Sequence, residues 1–106
     1  LQTSNQYFGD KMLATYVLKQ GECIPLHDHT FNHYTLIISG AAVQFDESGD
    51  VGYLLPNKSC NTYLMQAGKK HGIRAEIDGT VVINVMDVGE VGITPPVMTV
   101  DMPAKG

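Results

Sequence analysis

Gly21-Glu22-Cys23-Ile24-Pro25-Leu26-His27-Asp28-His29-Thr30-Phe31-Asn32-His33 carries three of the chain's four histidines, and its reading decides the fold. The fourth stands apart in Ala67-Gly68-Lys69-Lys70-His71. Positions 27, 29 and 33 share parity, so an extended chain, whose side chains alternate faces, can turn all three imidazoles to one side. A helix would place positions 27 and 29 about 200° apart and scatter the set. Pro25 and the β-rich stretch from Thr35 to Ile38 also favour extended backbone.

Working outward, the chain is a series of short apolar runs broken by turn residues. Strands are expected over Met12 to Leu18, His33 to Ser39, Ala42 to Phe45, Val51 to Leu55, Asn61 to Met65, His71 to Ile77 and Thr80 to Met86. Turns are expected at Lys19 to Glu22, Gly40, Asp46 to Asp50, Pro56-Asn57, Gly68 and Asp78-Gly79. Ile93 to Val100 contains Pro95-Pro96 and is an edge strand at best, since proline cannot donate to a ladder. No amphipathic helix, repeat or linker emerges. Regular short strands without helices predict an all-β sandwich or barrel.

The 106 residues, 43% of them hydrophobic, suffice for one domain with its own core. A single domain over 1–106 is expected, with its core at about 12–88 and a C-terminal arm at about 89–106. The net charge of −4, from 7 basic and 11 acidic residues, is scattered along the chain and offers no basic stripe for nucleic acid or anionic lipid. No apolar run approaches the ~20 residues of a membrane span, and no signal-peptide pattern opens the sequence. A soluble, cytoplasmic protein without nucleic-acid or membrane partners is expected. Cys23 and Cys60 make no disulfide framework. Cys23 shares the histidines' parity and could face their cavity, but packing as a small hydrophobe is the preferred reading.

The histidine-rich segment resembles the first motif of the cupin superfamily, usually written G-x5-H-x-H-x3,4-E-x6-G. Gly21, His27, His29 and Gly40 fall on it, and His33 replaces the glutamate, as in the four-histidine variant of the family. The second segment is similar to the motif G-x5-P-x-G-x2-H-x3-N through Gly68 and His71, while Cys60, Gln66 and Ala75 depart from it. The resemblance covers Gly21 to about Val88. It implies a cupin double-stranded β-helix, or jelly roll, with His27, His29, His33 and His71 as ligands of one divalent transition metal ion. It also implies an oxygenase-like enzyme acting on a small chelating molecule, and pairing of two chains.

The residues themselves support part of this. Neutral imidazoles without thiolate or carboxylate favour borderline ions such as Fe, Mn, Ni or Zn over Ca or Mg. Four of them either close a tetrahedron or leave two positions of an octahedron open for a chelating substrate or for substrate and dioxygen. Neutral ligands leave the ion's charge uncompensated, which favours anionic substrates. Asn32, Thr35 and Gln44 are candidates for orienting the imidazoles. No catalytic acid or base can be assigned. The alternatives are a metal-anchored binding or sensor module without turnover, and a structural subunit whose site no longer holds metal. Tyr34, Tyr53, Tyr63 and Phe45 are read as core or interface residues, Lys69 and Lys70 as solvated, and Arg74 as facing away from His71. If His33, Thr35 and Ile37 face inward, Tyr34, Leu36 and Ile38 form an apolar outer row, the expected seat of a homodimer.

Overall fold

The computed structural model describes residues 1–56 and 62–95. The strands in chain order are β1 (Gln2–Phe8), β2 (Lys11–Leu18), β3 (Cys23–His27), β4 (His33–Ser39), β5 (Ala42–Asp46), β6 (Gly49–Leu54), β7 (Thr62–Met65), β8 (His71–Ala75) and β9 (Thr80–Asp87). A single helical turn, α1 (Val88–Val91), follows. Two antiparallel sheets result, ordered β1-β2-β9-β4-β7 and β3-β8-β5-β6. Sequence neighbours such as β3 and β4, or β7 and β8, lie in opposite sheets. The chain therefore winds back and forth between two layers, which is the jelly-roll topology.

Alternation drives the layering. Met12, Ala14 and Leu18 of β2 are buried, as are Val82 and Met86 of β9 and Ile37 of β4. Leu18, Ile37 and Val82 meet Ile24, Ala42, Leu54, Ile73 and Ala75 of the other sheet in one cluster, while Met12, Ala14 and Met86 form a second one against which Phe31, Val88 and Val91 pack. Each fully buried aliphatic side chain contributes about 1.5–3 kcal/mol. The outer row on β4 is apolar as expected: Tyr34 and Ile38 are 53% and 48% exposed, and Leu64 beside Tyr34 is 50% exposed.

Several expectations are refined. β1 (QTSNQYF) carries no apolar alternation and is exposed almost throughout. It exists because its backbone pairs along the whole of β2. The Asp46 to Asp50 turn shrinks to Glu47-Ser48, because Gly49 already pairs with Asp46. Cys23 is exposed, so neither a cavity-facing nor a packed thiol is correct. The cause is a register shift between Ile24 and His27, which cancels the parity linking Cys23 to the histidines. Arg74 does face away, held by Asp50 and Glu76. Tyr53 is 71% exposed rather than core, whereas the Tyr63 hydroxyl bonds the Leu55 backbone. Ile93 to Pro95 form no strand, and 96–100, like Cys60, lie outside the described residues. No helix among the described residues is long and apolar enough to cross a membrane.

Candidate metal centre

The four histidines converge, by a route that parity alone does not supply. His27 ends β3 in one sheet and His33 begins β4 in the other, so the segment between them crosses the gap with His29 in the crossing. His71 opens β8 and is the register partner of His27. Two imidazoles thus come from one sheet, one from the opposing sheet and one from the bridge.

The rings lie close. His27 is 4.6 Å from both His29 and His71, centroid to centroid. His33 is 5.0 Å from His29 and 5.4 Å from His71. His27, His29 and His71 form the tighter group, each offering a ring nitrogen within 4.8 Å of the others. His33 stands at its inner side and is 2% exposed.

Backbone carbonyls orient these rings. His27 Nδ1 lies 2.6 Å from the Pro25 carbonyl oxygen, and His71 Nδ1 lies 3.1 Å from that of Lys69. A carbonyl only accepts, so each neutral ring donates from Nδ1 and presents the lone pair of Nε2. His33 Nδ1 makes a longer contact, 3.5 Å, with its neighbour's carbonyl on Tyr34. The Nε2 atoms of His33 and His71 are buried without a hydrogen-bond partner among the described residues. A buried, unpartnered nitrogen is costly unless something fills its lone pair. A metal ion would do so, and the donor set fits one.

The side chains expected to orient the rings do other work. Asn32 Oδ1 accepts from the Ala67 backbone at 2.7 Å, and the Gly68 N–H donates to the His29 carbonyl at 2.8 Å, tying the two histidine-bearing segments together. Thr35 donates to Asn84 Oδ1 at 2.7 Å in the buried layer behind His33. Gln44 lines a cleft that reaches His71. Phe31 stacks on His29 at 4.9 Å, a contact that its place between two histidines could have suggested. The orienting carbonyls leave no trace in side-chain identity.

Burial keeps the imidazoles neutral, the form that ligates. It pushes His33 down to about 4, with nearby imidazoles adding to the effect against the Tyr34 carbonyl. His29 is lowered by burial and then by His27 and His71. His71 is lowered by burial and then by His27, against the Lys69 carbonyl and Asp28. A group whose pKa is lower folded than unfolded gives stability present above the unfolded value and lost as pH falls through the folded one. Metal-free protein should therefore lose stability between pH ~6.5 and ~4, with His33 responsible for on the order of 3 kcal/mol. Urea midpoints at pH 7.5 and 4.5 in chelator check this, since His33→Leu should flatten the dependence. Equal slopes for the two proteins would contradict it.

No family model matches the chain, and no curated protein matches it. Solved structures do. A cupin superfamily protein from Desulfitobacterium hafniense superposes at TM-score 0.63 and 16% identity, covering 81% of this chain and 77% of that one. A protein with a double-stranded β-helix domain from Klebsiella pneumoniae does so at 0.68 and 20%, covering 81% and 70%. An oxalate decarboxylase variant from Bacillus subtilis matches at 0.60 and 23%, over 74% of this chain and 21% of that one. The fold is the cupin double-stranded β-helix. At these identities the likeness extends to fold alone.

Proposed function

We propose that His27, His29, His33 and His71 hold one divalent transition metal ion, Fe, Mn, Ni or Zn, in a single-domain cupin enzyme of the oxygenase type acting on a small chelating oxygen-containing molecule. The observation that carries this reading is the pair of buried, unpartnered Nε2 atoms on His33 and His71 inside a cluster of four imidazoles. Such an ion, when bound, supplies Lewis-acid or redox chemistry to a chelating substrate. The chain's own part is to pin the rings through the Pro25 and Lys69 carbonyls and to exclude water from the His33 side. The oxalate decarboxylase likeness supports a cupin fold as a host for enzymatic chemistry without naming this chain's reaction.

A second reading, a metal-anchored binding or sensor module, draws on one observation. Among the described residues, no carboxylate side chain hydrogen-bonds any of the four histidines, and the neighbouring Asp28 acts on His29 and His71 through its charge alone. Metal analysis of protein purified without a histidine tag, followed by oxygen uptake of the iron-loaded protein with diketones, enols and catechols, separates the readings. Bound metal with turnover is the expected result. Bound metal with tight ligand binding and no uptake would favour the module, and metal-free protein that takes up no metal would end both.

The protein is further proposed to be a cytoplasmic homodimer without nucleic-acid or membrane partners. Support for pairing comes from the exposed apolar outer face of Tyr34, Ile38 and Leu64, a surface that a second identical face would cover. Light scattering at micromolar concentration should give twice the chain mass, and Ile38→Asp should shift it towards one chain. A monodisperse single-chain mass for the wild type would refute the dimer.

A further inference from the structure

Beside the histidine cluster runs a cleft that shares only His71 with the metal site. It is lined by Val51 of the edge strand β6 and by Leu64 and Met65 of the edge strand β7, and holds about 290 Å³. Gln44 and Asp46 come from β5, Gln66 follows β7, Lys69 and Lys70 precede β8, and His71 forms the inner end. A shallower depression lined by Asp46, Glu47, Ser48, Lys69 and Lys70 continues it to the surface.

The charges along this path are not equivalent. Asp46 Oδ1 is engaged by the Ser48 N–H at 2.8 Å and the Ser48 hydroxyl at 2.7 Å, so it closes the β5–β6 turn. Glu47 pairs with Lys70 at 3.4 Å. Lys69 lines both the cleft and the outer depression, and among the described residues it has no carboxylate within ion-pair distance. Its own backbone carbonyl receives the Nδ1–H of His71. One residue therefore both fixes an imidazole of the cluster and lends a cation to the approach. Gln44 and Gln66 add amide N–H donors.

We propose that this cleft binds the carboxylate of a small organic acid, with Lys69 as its charge partner and Gln44 and Gln66 as donors, so that the rest of the molecule extends towards His71. The proposal rests on the metal reading only in naming that site's substrate as an acid; the cleft itself is a separate constellation. An ion held by neutral imidazoles keeps its full charge, which favours the same ligand class. A charged hydrogen bond from an ammonium to a carboxylate is the strongest single contact the walls can offer.

The test uses the full chain, once with chelator and once loaded with zinc, its metal content measured independently. Malonate and pyruvate are titrated against backbone amide NMR signals, with malonamide and methyl pyruvate as uncharged counterparts. The acids should shift the amides of Gln44, Gln66 and residues 69–72, the uncharged probes should not, and Lys69→Gln should weaken acid binding about tenfold. Lys69→Arg should restore most of it. Absence of shifts with either acid in both preparations, or identical affinities for Lys69→Gln and the wild type, would overturn the cleft assignment. Failure to load zinc tells against the metal reading, while shifts in the chelated protein would still sustain the cleft.

Discussion

Gly40→Ala should destabilise the protein by about 2–5 kcal/mol, a large part of the 5–15 kcal/mol typical of a domain. Gly40 ends β4's turn with φ +85, in the left-handed region where a β-carbon costs about 1–2 kcal/mol. A β-carbon there would also lie 2.4 Å from Thr80 Oγ1 and 2.6 Å from Thr80 Cα. Relief of such overpacking costs a further ~1–3 kcal/mol. Thr80 cannot step aside, since its hydroxyl lies 2.8 Å from the Ile77 carbonyl oxygen and 3.1 Å from that of Ala41, either of which can accept its one proton, and the residue is fully buried. Trimming it to Thr80→Ala should not rescue the variant, because the clash with Cα is backbone. Gly79→Ala is the control: its φ is +76 but its added β-carbon meets nothing, so only the conformational cost applies. Equal urea midpoints for the Gly40→Ala and Gly79→Ala variants would show that the Thr80 contact does not matter.

The His27→Ala/His71→Ala double variant should lose metal almost completely, with each single change weakening binding by more than about a hundredfold. That estimate follows because even groups that merely orient ligands cost 10–100-fold when removed. His27 and His71 are register partners on adjacent strands, and they make up two of the three rings in the tighter group. Metal per chain, measured by elemental analysis after dialysis, reads the outcome, and near-stoichiometric metal in the double variant would end the proposal. His33→Ala separates four ligands from three. Metal loss is expected; retention in His33→Ala alongside loss in His27→Ala would leave a site of His27, His29 and His71.

The expectations that survived depend on local pattern. Strands β2, β4, β5, β6, β7, β8 and β9 could be read because each is a short run rich in apolar residues that glycines or polar turns end. β1 could not, because an uncharged strand held mainly by pairing, with only Tyr7 packed against the core, has no periodic signature. His27, His29 and His33 were recognisable as a set by spacing and His71 through its place in the second cupin-like motif, yet the geometric argument for their meeting was incomplete. Parity along one strand would have carried Cys23 inward with them, and the bulge after Ile24 prevents that.

By itself, then, the sequence determined the β class, the inward and outward rows of most strands and the identity of four clustered histidines, since each is written in residue type and period. Only the tertiary structure decided that His27 and His33 reach one another from opposite sheets, that Pro25 and Lys69 carbonyls set the ring tautomers, and that Lys69 borders a cleft leading to His71. Those features depend on sheet packing and on backbone atoms, which every residue possesses alike and which no side-chain pattern can distinguish.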